Sequence, residues 1–512
     1  MQPSGAQRNR PDRPLAERAA LARELARHVG DDSVLWTDET LLAYDVDGFT
    51  IAKFPPDLVV LPRTTEHVVS ILTFARERGL PVTARGAGTG LAGGALAEEG
   101  GILLVTARMD QVLEVDVHNR FAVVQPGVVN AHLSEHVAPH GLHYAPDPSS
   151  QMASTLGGNA ATNAGGPHCL KYGQTHQHVR AMTLVLADGS VVRAGGRMLD
   201  PPGLNLVGVS VGSEGTFGIV TELVVGLVPL PEAVRTFLAV FDDVPAAGRA
   251  VTAIIGRGIV PAALEMLDHL TIVAVEPYVH LGLPLDAGAV LLAELDGPAA
   301  GMDRRAQEIH ALCREAGARS IREAGDDAER LLLWKARKGA FGAMGRLASG
   351  FYVMDGVVPR TRLPEVLARI DTIAAQQGLR IANVFHAGDG NLHPNVLYDV
   401  DDPDSVARAW RASEMILEAC LELGGSLSGE HGIGNEKRDL MGLAYGADDL
   451  AAMGALRRAF DPDGRLNPKK MLPLRPGCGE GLPRPGFGRG PGVVPGAGRS
   501  AGLSPDGEGP WI

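Results

Sequence analysis

The chain has 512 residues, a formal net charge of −13 and an ordinary hydrophobic content of 45%. An acidic chain lacks the basic footprint of nucleic-acid-binding proteins, so we expect no nucleic acid among its partners. The N-terminus has no apolar core of a signal peptide, and no apolar run approaches the ~18 residues of a membrane helix, which predicts a cytoplasmic protein that meets a membrane only through partner subunits.

The first half of the chain has the pattern of an α+β region. Residues 1–13 are expected to be disordered, and residues 14–30 have the spacing of a helix that ends at Gly30. One βαβ unit is then predicted from a strand at 58–61, an amphipathic helix at 66–78 and a strand at 82–84. Further short apolar strands, separated by Gly and Asp turns, continue to about residue 231.

The second half has longer alternating elements, which predict a second sheet with helices on one side. Its clearest helix, residues 405–425, ends at paired glycines. The Gly/Pro-rich end of the chain is expected to be disordered. The predicted division is an N-terminal helical segment (1–55), a first domain (56–231), a second domain (232–473) and a tail (474–512).

Three loops of small residues indicate a large ligand in the first domain. RGAGTGLAGGA (85–95) contains a GxGxxG pattern, but only residues 95–99 separate its last glycines from Gly100-Gly101, which leaves no room for the helix that a Rossmann site requires. Two more runs of small residues follow, at 146–166 and 211–223. Backbone can approach a flat or phosphorylated molecule closely in such loops. We therefore expect a dinucleotide-sized cofactor bound outside the Rossmann scheme.

Two motifs in the second domain suggest a metal site. In FHAGDGNLHPN (385–395), a four-residue hairpin loop at 388–391 would place His386 directly opposite His393, with Asn395 on the same face. The alternative is a polar hairpin whose histidines only pack or form hydrogen bonds.

SGEHGIGNEKRD (428–439) adds Glu430 and His431, which would point in opposite directions on a strand end. The alternative is a pair that caps the following helix. One carboxylate and two imidazoles form a set that suits Zn²⁺ or Mn²⁺/Fe²⁺.

The order of motifs resembles a known family. PRTTEHV, RGAGTGLAGGA, DPSSQMASTLGGNAATNAGG, KYG and VGSEGTFGIVTE look like the FAD-binding domain of the vanillyl-alcohol oxidase/PCMH superfamily. With NVFHAGDGNLHP and GGSLSGEHGIGNEKRDLM, the chain resembles more narrowly the FAD-linked subunit of glycolate oxidase and its D-lactate and D-2-hydroxyglutarate dehydrogenase relatives, over roughly residues 35–473. The resemblance implies a PCMH-type FAD-binding domain of two α+β subdomains, then an α/β sandwich substrate domain with an antiparallel sheet and a C-terminal helical segment.

The resemblance also implies how FAD is bound. Residues 85–95 would hold the pyrophosphate, while 146–166 and 213–220 would line the ribityl and flavin portions. Some superfamily members tether FAD through a histidine in the first loop; this loop has none, so we expect noncovalent FAD, with His168 and Cys169 as the residues able to contradict that expectation. The expected cofactor-binding residues are Arg85, Gly86, Gly88, Thr89, Gly90, Leu91, Asp147, Ser150, Gly157, Gly158, Asn159, Ala161, Asn163, Gly165, Gly215, Ile219 and Val220.

The matching residues of the resembled dehydrogenases imply a reaction centre. His386, His393 and Glu430 would hold the metal, His431 would act as base, Arg337 would bind the substrate carboxylate and Asn395 would contact the substrate or a metal-bound water. The expected reaction is oxidation of a small D-2-hydroxy acid to the 2-oxo acid by hydride transfer to flavin N5. The alternative for Arg337 is a solvated charge on a helix.

One departure from the family narrows the substrate. The D-2-hydroxyglutarate enzymes carry a lysine in the segment that corresponds to FYVMDGVVP, where this chain has Val353 and Met354. Glycolate or D-lactate is therefore expected rather than a dicarboxylic acid.

The electron acceptor is expected to be a partner. The four cysteines are widely separated, which excludes an ordinary self-contained iron–sulfur site. The resemblance implies a second flavin-domain subunit and an iron–sulfur subunit that passes electrons to quinone. Open alternatives are a noncatalytic FAD-binding subunit, a D-2-hydroxyglutarate dehydrogenase, an NADPH-dependent reductase of the enolpyruvyl-sugar type and a metal-stabilised binding module.

Overall fold

The computed structural model describes residues 13–199 and 202–474. The segments expected to be disordered, 1–13 and 474–512, lie outside the described residues except for Arg13 and Leu474.

The first half contains short strands and seven α-helices within the described residues. The helices are α1 (Leu15–Val29), α2 (Asp38–Leu41), α3 (Thr65–Glu77), α4 (Asn130–Val137), α5 (Leu156–Thr162), α6 (Cys169–Tyr172) and α7 (Leu206–Ser210). The strands are β1 (Val34–Leu35), β2 (Leu58–Val60), β3 (Val82–Arg85), β4 (Ile102–Val105), β5 (Val112–Asp116), β6 (Phe121–Val124), β7 (Leu142–His143), β8 (Val179–Val185), β9 (Val191–Gly195), β10 (Ile219–Gly226) and β11 (Val228–Pro229).

These strands form two main sheets, which confirms the predicted pair of α+β subdomains. The first has the order β1-β2-β4-β3, and β4 lies parallel to both β2 and β3. The predicted βαβ unit is thus present, with a third strand between its two strands. The second sheet is antiparallel, with the order β5-β6-β10-β8-β9, and β7 pairs with β11.

Helix α1 illustrates how the pattern determines the packing. It buries Ala22, Leu25, Ala26 and Val29, which recur at the three- and four-residue spacing of one helix face. It ends before Gly30, whose φ of +93° few other residues adopt.

The second half is built around one large antiparallel sheet. Its strands are β12 (Ala233–Phe241), β13 (Ala263–Asp268), β14 (Ala289–Gly297), β15 (Ser320–Glu323), β16 (Gly350–Val353), β17 (Gly356–Val357), β18 (Arg380–His386) and β19 (Asn391–Tyr398). Their order is β15-β12-β14-β13-β18-β19-β16, and β17 also pairs with β19. The helices are α8 (Val244–Gly256), α9 (His269–Val279), α10 (Met302–Glu315), α11 (Asp327–Lys338), α12 (Ala340–Ala343), α13 (Leu363–Gln377), α14 (Pro403–Glu422), α15 (Met441–Ala444) and α16 (Ala447–Phe460).

Helices cover both faces of this sheet, so the expectation of helices on one side is wrong. Phe237 and Phe241 pack in one apolar cluster with α8, α10, α13 and α14, whereas Leu238 and Val240 pack in another with α9, α11 and α12. The physical reason is visible in β12, where every position from Thr236 to Phe241 is buried. A strand that is apolar on both faces needs cover on both.

The end of the described chain returns to the first half. Leu466 lies beside Val82 in an isolated parallel bridge and joins the apolar cluster around α3. The buried ammonium of Lys470 donates to the Leu96 carbonyl at 3.0 Å and to the Glu98 carboxylate at 3.3 Å. These contacts join the region of the first glycine-rich loop to residues 466–470, which follow the large sheet and α16.

Candidate functional site

The two histidines of segment 385–395 lie on neighbouring strands of one hairpin. His386 pairs with Asn391, so the loop consists of residues 387–390. The predicted loop at 388–391, with His386 directly opposite His393, is therefore wrong by one residue. Both histidines still share a face, because residues on the diagonal of a strand pair lie on the same side of the sheet.

Gly390 explains the register. Its N–H donates to the His386 carbonyl at 3.1 Å, and its φ of +85° is readily available only to glycine. The Asn391 N–H donates to the Asp389 carboxylate at 3.0 Å, which supports the expectation that Asp389 shapes the turn.

A carboxylate joins the two imidazoles. Glu430 Oε1 lies 3.2 Å from His386 Nε2 and 3.0 Å from His393 Nε2. The imidazole rings are almost perpendicular, at 88°, with centroids 5.0 Å apart. One ligand atom from each residue lies within 4.8 Å of the others, so this donor set could hold one divalent metal ion.

Glu265, on β13, is a site residue that the sequence motifs did not identify. Both of its carboxylate oxygens lie 2.8 Å from His386 Nδ1. A hydrogen bond at Nδ1 fixes the ring orientation, so that Nε2 faces Glu430. No motif points to Glu265, because only the pairing of β13 with β18 brings it to His386.

Arg337 lies behind His386 rather than on a solvated helix face. Its Nε donates to Glu265 at 2.6 Å, and the side chain is 1% exposed. Its Nη1 has no hydrogen-bond partner among the described residues. A buried N–H donor without an acceptor costs free energy, and a bound anion would supply that acceptor for Nη1.

Glu430 and His431 do not lie on a strand end, and their side chains do not point in opposite directions. They belong to a bend without regular structure, and His431 Nε2 is 4.0 Å from Glu430 Oε1. The His431 ring stacks on that of His393, with centroids 5.1 Å apart and an angle of 6°. The capping alternative also fails, because the next helical turn begins only at Arg438.

Burial and charge set the protonation states of this cluster. Burial alone would raise the pKa of Glu430, but His386 and His393 hold it well below its usual range. The pKa of His431 is lowered to about 4, because burial disfavours the charged ring more than Asp355 favours it. His431 is therefore neutral near pH 7.

A second group, Asp355, His393 and His431, also lies close together but is a poor metal site. The Asp355 oxygens already accept from Lys437 Nζ at 3.2 Å and from backbone amides. The two imidazoles are stacked, so their ring nitrogens do not converge on one point.

A cavity of about 760 Å³ adjoins Glu430 and His431. The three loops of small residues line it together, as their pattern predicted. The first loop leads from β3 to β4 without an intervening helix, which confirms that it is not a Rossmann loop. Within the described part of the chain, the backbone amides of residues 87–91 donate to no protein acceptor, as a diphosphate cradle requires. The volume and these free amides fit FAD.

The cavity wall contains all but two of the expected cofactor-binding residues. The exceptions are Asp147, whose carboxylate contacts His168 at 2.8 Å, and Asn163, which ends α5 in a left-handed conformation and donates to Gln174. Asn395 also lies away from the wall: its amide donates to the carbonyls of Ala382 and His393, although its Oδ1 has no partner among the described residues.

Part of the wall was not predicted. It comes from the N-terminal segment at Gly48–Ile51 and from the second half at Lys338, Phe341 and Tyr352. These residues belong to no glycine-rich motif and meet the cavity only through the packing of the two halves.

His168 and Cys169, the two residues able to tether a cofactor, are engaged elsewhere. His168 lies between Asp147 and Glu294, with its Nε2 3.3 Å from Glu294 Oε1. Cys169 Sγ accepts the Gly166 N–H at 3.0 Å, and burial raises the pKa of its thiol. Neither residue contributes to the cavity wall.

Comparisons with known proteins agree with this architecture. Residues 56–195 match the family described as FAD binding domain, and residues 230–471 match the family described as FAD linked oxidases, C-terminal domain. The chain is 46% identical over 467 residues to the glycolate oxidase subunit GlcD of Escherichia coli K12, covering 91% of this chain and 94% of the relative. It is 31% identical to a D-lactate dehydrogenase of Anaerostipes hadrus, covering 88% and 96%. Its fold resembles p-cresol methylhydroxylase with substrate bound, with a TM-score of 0.74, 18% identity, and coverage of 90% and 97%.

Proposed function

The chain belongs to the family of FAD-linked glycolate oxidase subunits and D-lactate dehydrogenases, in the vanillyl-alcohol oxidase/PCMH superfamily, and on this premise we propose that it oxidises a small D-2-hydroxy acid to the 2-oxo acid. It is an FAD-dependent hydroxy-acid oxidoreductase. The observation that carries the proposal is the convergence of Glu430 on two imidazoles, beside His431, at the wall of the cavity that the FAD-binding loops line.

We assign a divalent metal, Zn²⁺ or Mn²⁺/Fe²⁺, to His386, His393 and Glu430. This donor set leaves positions open for a hydroxy acid. When bound, the metal supplies Lewis-acid chemistry that lowers the pKa of a substrate hydroxyl. We assign noncovalent FAD to the cavity, where it supplies the acceptor for the hydride of the substrate α-carbon.

The protein side chains then have separate tasks. His431 is the general base that takes the hydroxyl proton, a role supported by its neutral imidazole and its place in the cavity wall. Arg337 holds the substrate carboxylate through its unpartnered Nη1. The Asn395 side-chain amide donates to the backbone carbonyls of Ala382 and His393, and these hydrogen bonds stabilise the hairpin.

The proposed substrate is glycolate or D-lactate. Val353 and Phe341 line the cavity, and Met354 is fully buried behind the hairpin. None of these side chains pairs with a second carboxylate, so D-2-hydroxyglutarate is the less favoured substrate. The closeness of the metal ligands, His431 and Arg337 also weighs against a noncatalytic FAD-binding subunit.

We propose that electrons leave through partner subunits, one with a flavin domain and one with iron–sulfur clusters. The E. coli relative is named as a subunit, and the described cysteines Cys169, Cys313 and Cys420 are free and separate. Among residues 13–199 and 202–474, no helix combines the length and apolarity needed to cross a bilayer.

The proposal is tested by turnover with an artificial electron-accepting dye. Glycolate, D-lactate, L-lactate and D-2-hydroxyglutarate are compared for dye reduction and for formation of the 2-oxo acid. We expect turnover of glycolate and D-lactate, and loss of turnover in His393→Ala together with loss of bound metal. Full activity of His393→Ala would exclude the assigned metal site.

A further inference from the structure

The segment Ser428–Gly434 carries Glu430 and His431 but has no helix or strand to hold it. Instead, side chains accept all of its backbone amides from Gly429 to Gly434. The Gly432 amide donates to Ser428 Oγ at 2.9 Å, within the segment itself. The other five donate to two carboxylates that lie far away in the sequence.

Asp355 accepts the first three amides. The N–H groups of Gly429, Glu430 and His431 lie 3.1, 3.2 and 2.9 Å from its carboxylate oxygens. Asp355 is fully buried, and the Ser428 hydroxyl also donates to it. Its position between β16 and β17 ties the segment to the large sheet that carries both histidine ligands.

Glu214 accepts the last two amides. Its carboxylate oxygens lie 2.7 Å from the Ile433 N–H and 2.8 Å from the Gly434 N–H. Glu214 belongs to the third glycine-rich loop and lines the cavity that fits FAD. There is no room for a side chain beside it, because a Cβ on Gly432 would lie 2.7 Å from its Oε1.

We propose that Asp355 and Glu214 are the positioning residues of the reaction. Asp355 fixes Glu430 against the two histidines, and Glu214 fixes the same segment against the cofactor wall. One carboxylate comes from each half of the chain, so together they set the distance between the metal site and the cofactor. The inference rests on the proposed function, since it explains how that site is held together.

Two isosteric variants separate these roles. Asp355→Asn removes the charge and replaces one of the two acceptor oxygens by a donor, so amides 429–431 lose their charged acceptor while the volume is kept. Glu214→Gln does the same for amides 433 and 434. The matched control is Asp268→Asn, because Asp268 is also buried and accepts the backbone amides of Thr271 and Asn383, away from this segment.

The first readout needs no metal and no turnover. Hydrogen–deuterium exchange of the metal-free, FAD-containing protein is followed for peptides that span residues 428–434. We expect exchange to be about 10- to 100-fold faster at residues 430–431 in Asp355→Asn, and at 433–434 in Glu214→Gln, because each segment loses a charged acceptor. Gly429 should change less, because its amide also donates to the Asp355 backbone carbonyl at 3.2 Å. Exchange at this segment that matches the Asp268→Asn control would overturn the inference.

The second readout is metal affinity, measured by calorimetric titration with Zn²⁺ and with Mn²⁺. We expect at least ~10-fold weaker binding in Asp355→Asn, the effect typical of residues that orient ligands, and a smaller change in Glu214→Gln. Both variants should lower kcat more than they raise KM.

If Asp355→Asn does not fold, Ser428→Ala is the second variant, because it removes only the hydroxyl that donates to Asp355. It should shift exchange and affinity in the same direction by a smaller amount. A wild-type protein that binds neither metal would defeat the proposed function, whereas unchanged exchange in the variants would defeat this inference alone.

Discussion

Glu265 contacts His386, one of the proposed metal ligands. Its carboxylate holds Nδ1 of the imidazole and is itself held by Arg337 Nε, and all three side chains are buried. We expect Glu265→Gln to weaken metal binding about 10- to 100-fold, because the amide orients the ring less strongly. Bound metal after dialysis against graded chelator measures the effect. Glu98→Gln, at a buried carboxylate near Lys470, is the control; equal metal retention in both variants would contradict the assigned role.

Arg337 differs from an ordinary helix charge in its burial. Arg337→Lys keeps the charge but removes the planar guanidinium, so a single ammonium cannot replace both the Nε that donates to Glu265 and the Nη1 that would contact a bound carboxylate. We expect KM for glycolate to rise about 10-fold or more, in line with ~1.5–3 kcal/mol for a hydrogen bond to a charged group. Steady-state kinetics measure this. Lys335→Met, on the exposed face of the same helix, should leave KM unchanged, and an unchanged KM in Arg337→Lys would remove Arg337 from the substrate site.

At the scale of elements, the hairpin between β18 and β19 positions His386 and His393, the two histidines of the proposed metal site. A Cβ on Gly390 would lie 2.1 Å from the Val358 carbonyl oxygen, in addition to the strain of a φ of +85°. We expect Gly390→Ala to lower both the free energy of unfolding and the metal affinity. Gly378→Ala is the control, because Gly378 also has a positive φ of +61° but open space around it. Its cost should stay near the ~1–2 kcal/mol of a left-handed residue, with metal affinity intact.

Urea unfolding and metal titration of the two glycine variants distinguish these outcomes. A Gly390→Ala protein that binds metal as tightly as Gly378→Ala would mean that the turn does not set the position of the histidines.

The segment around α6 connects the two halves through His168. Burial lowers the pKa of this imidazole, but Asp147 and Glu294 outweigh burial and raise it from 6.5 to about 10. Because the pKa is higher in the folded state, protonated His168 stabilises the folded protein. This stabilisation is complete below pH ~6.5 and is lost as the pH rises toward about 10. We therefore expect the difference in Tm between wild type and His168→Gln to shrink from pH 6 to pH 10.

Thermal unfolding at several pH values, with exposed His140→Gln as control, tests this linkage. A difference in Tm that stays constant or grows with pH would show that His168 is not held as a cation between the two carboxylates.

The elements also show what the sequence can predict. The spacing of apolar residues located α1 and α3 to within a residue or two, because each buries one face. The hairpin loop was predicted with the right length but one residue late, because the pattern does not say which glycine takes the positive φ. The opposed directions of Glu430 and His431 were wrong, since their segment follows side-chain acceptors at Asp355 and Glu214 rather than a strand.

At the scale of the whole molecule, the site forms where the two halves meet. The glycine-rich loops line one part of the cavity, while Glu430 and His431 come from the second half. Long motifs predicted the loops that line the cavity, and they predicted His386, His393 and Glu430, which lie together and which we propose as metal ligands. Glu265, Phe341 and Tyr352 could not be found in this way, because they reach the site only through strand pairing and packing between distant segments.

The most direct test of the central claim is the reductive half-reaction. The FAD-containing protein is mixed anaerobically with D-lactate or L-lactate, and the flavin absorption is followed before and after removal of metal by a chelator. We expect D-lactate to bleach the flavin, L-lactate to leave it oxidised, and chelation to abolish the bleaching until Zn²⁺ or Mn²⁺ is restored. Equal bleaching by D-lactate with and without metal would contradict the assignment of His386, His393 and Glu430 to a metal-dependent reaction.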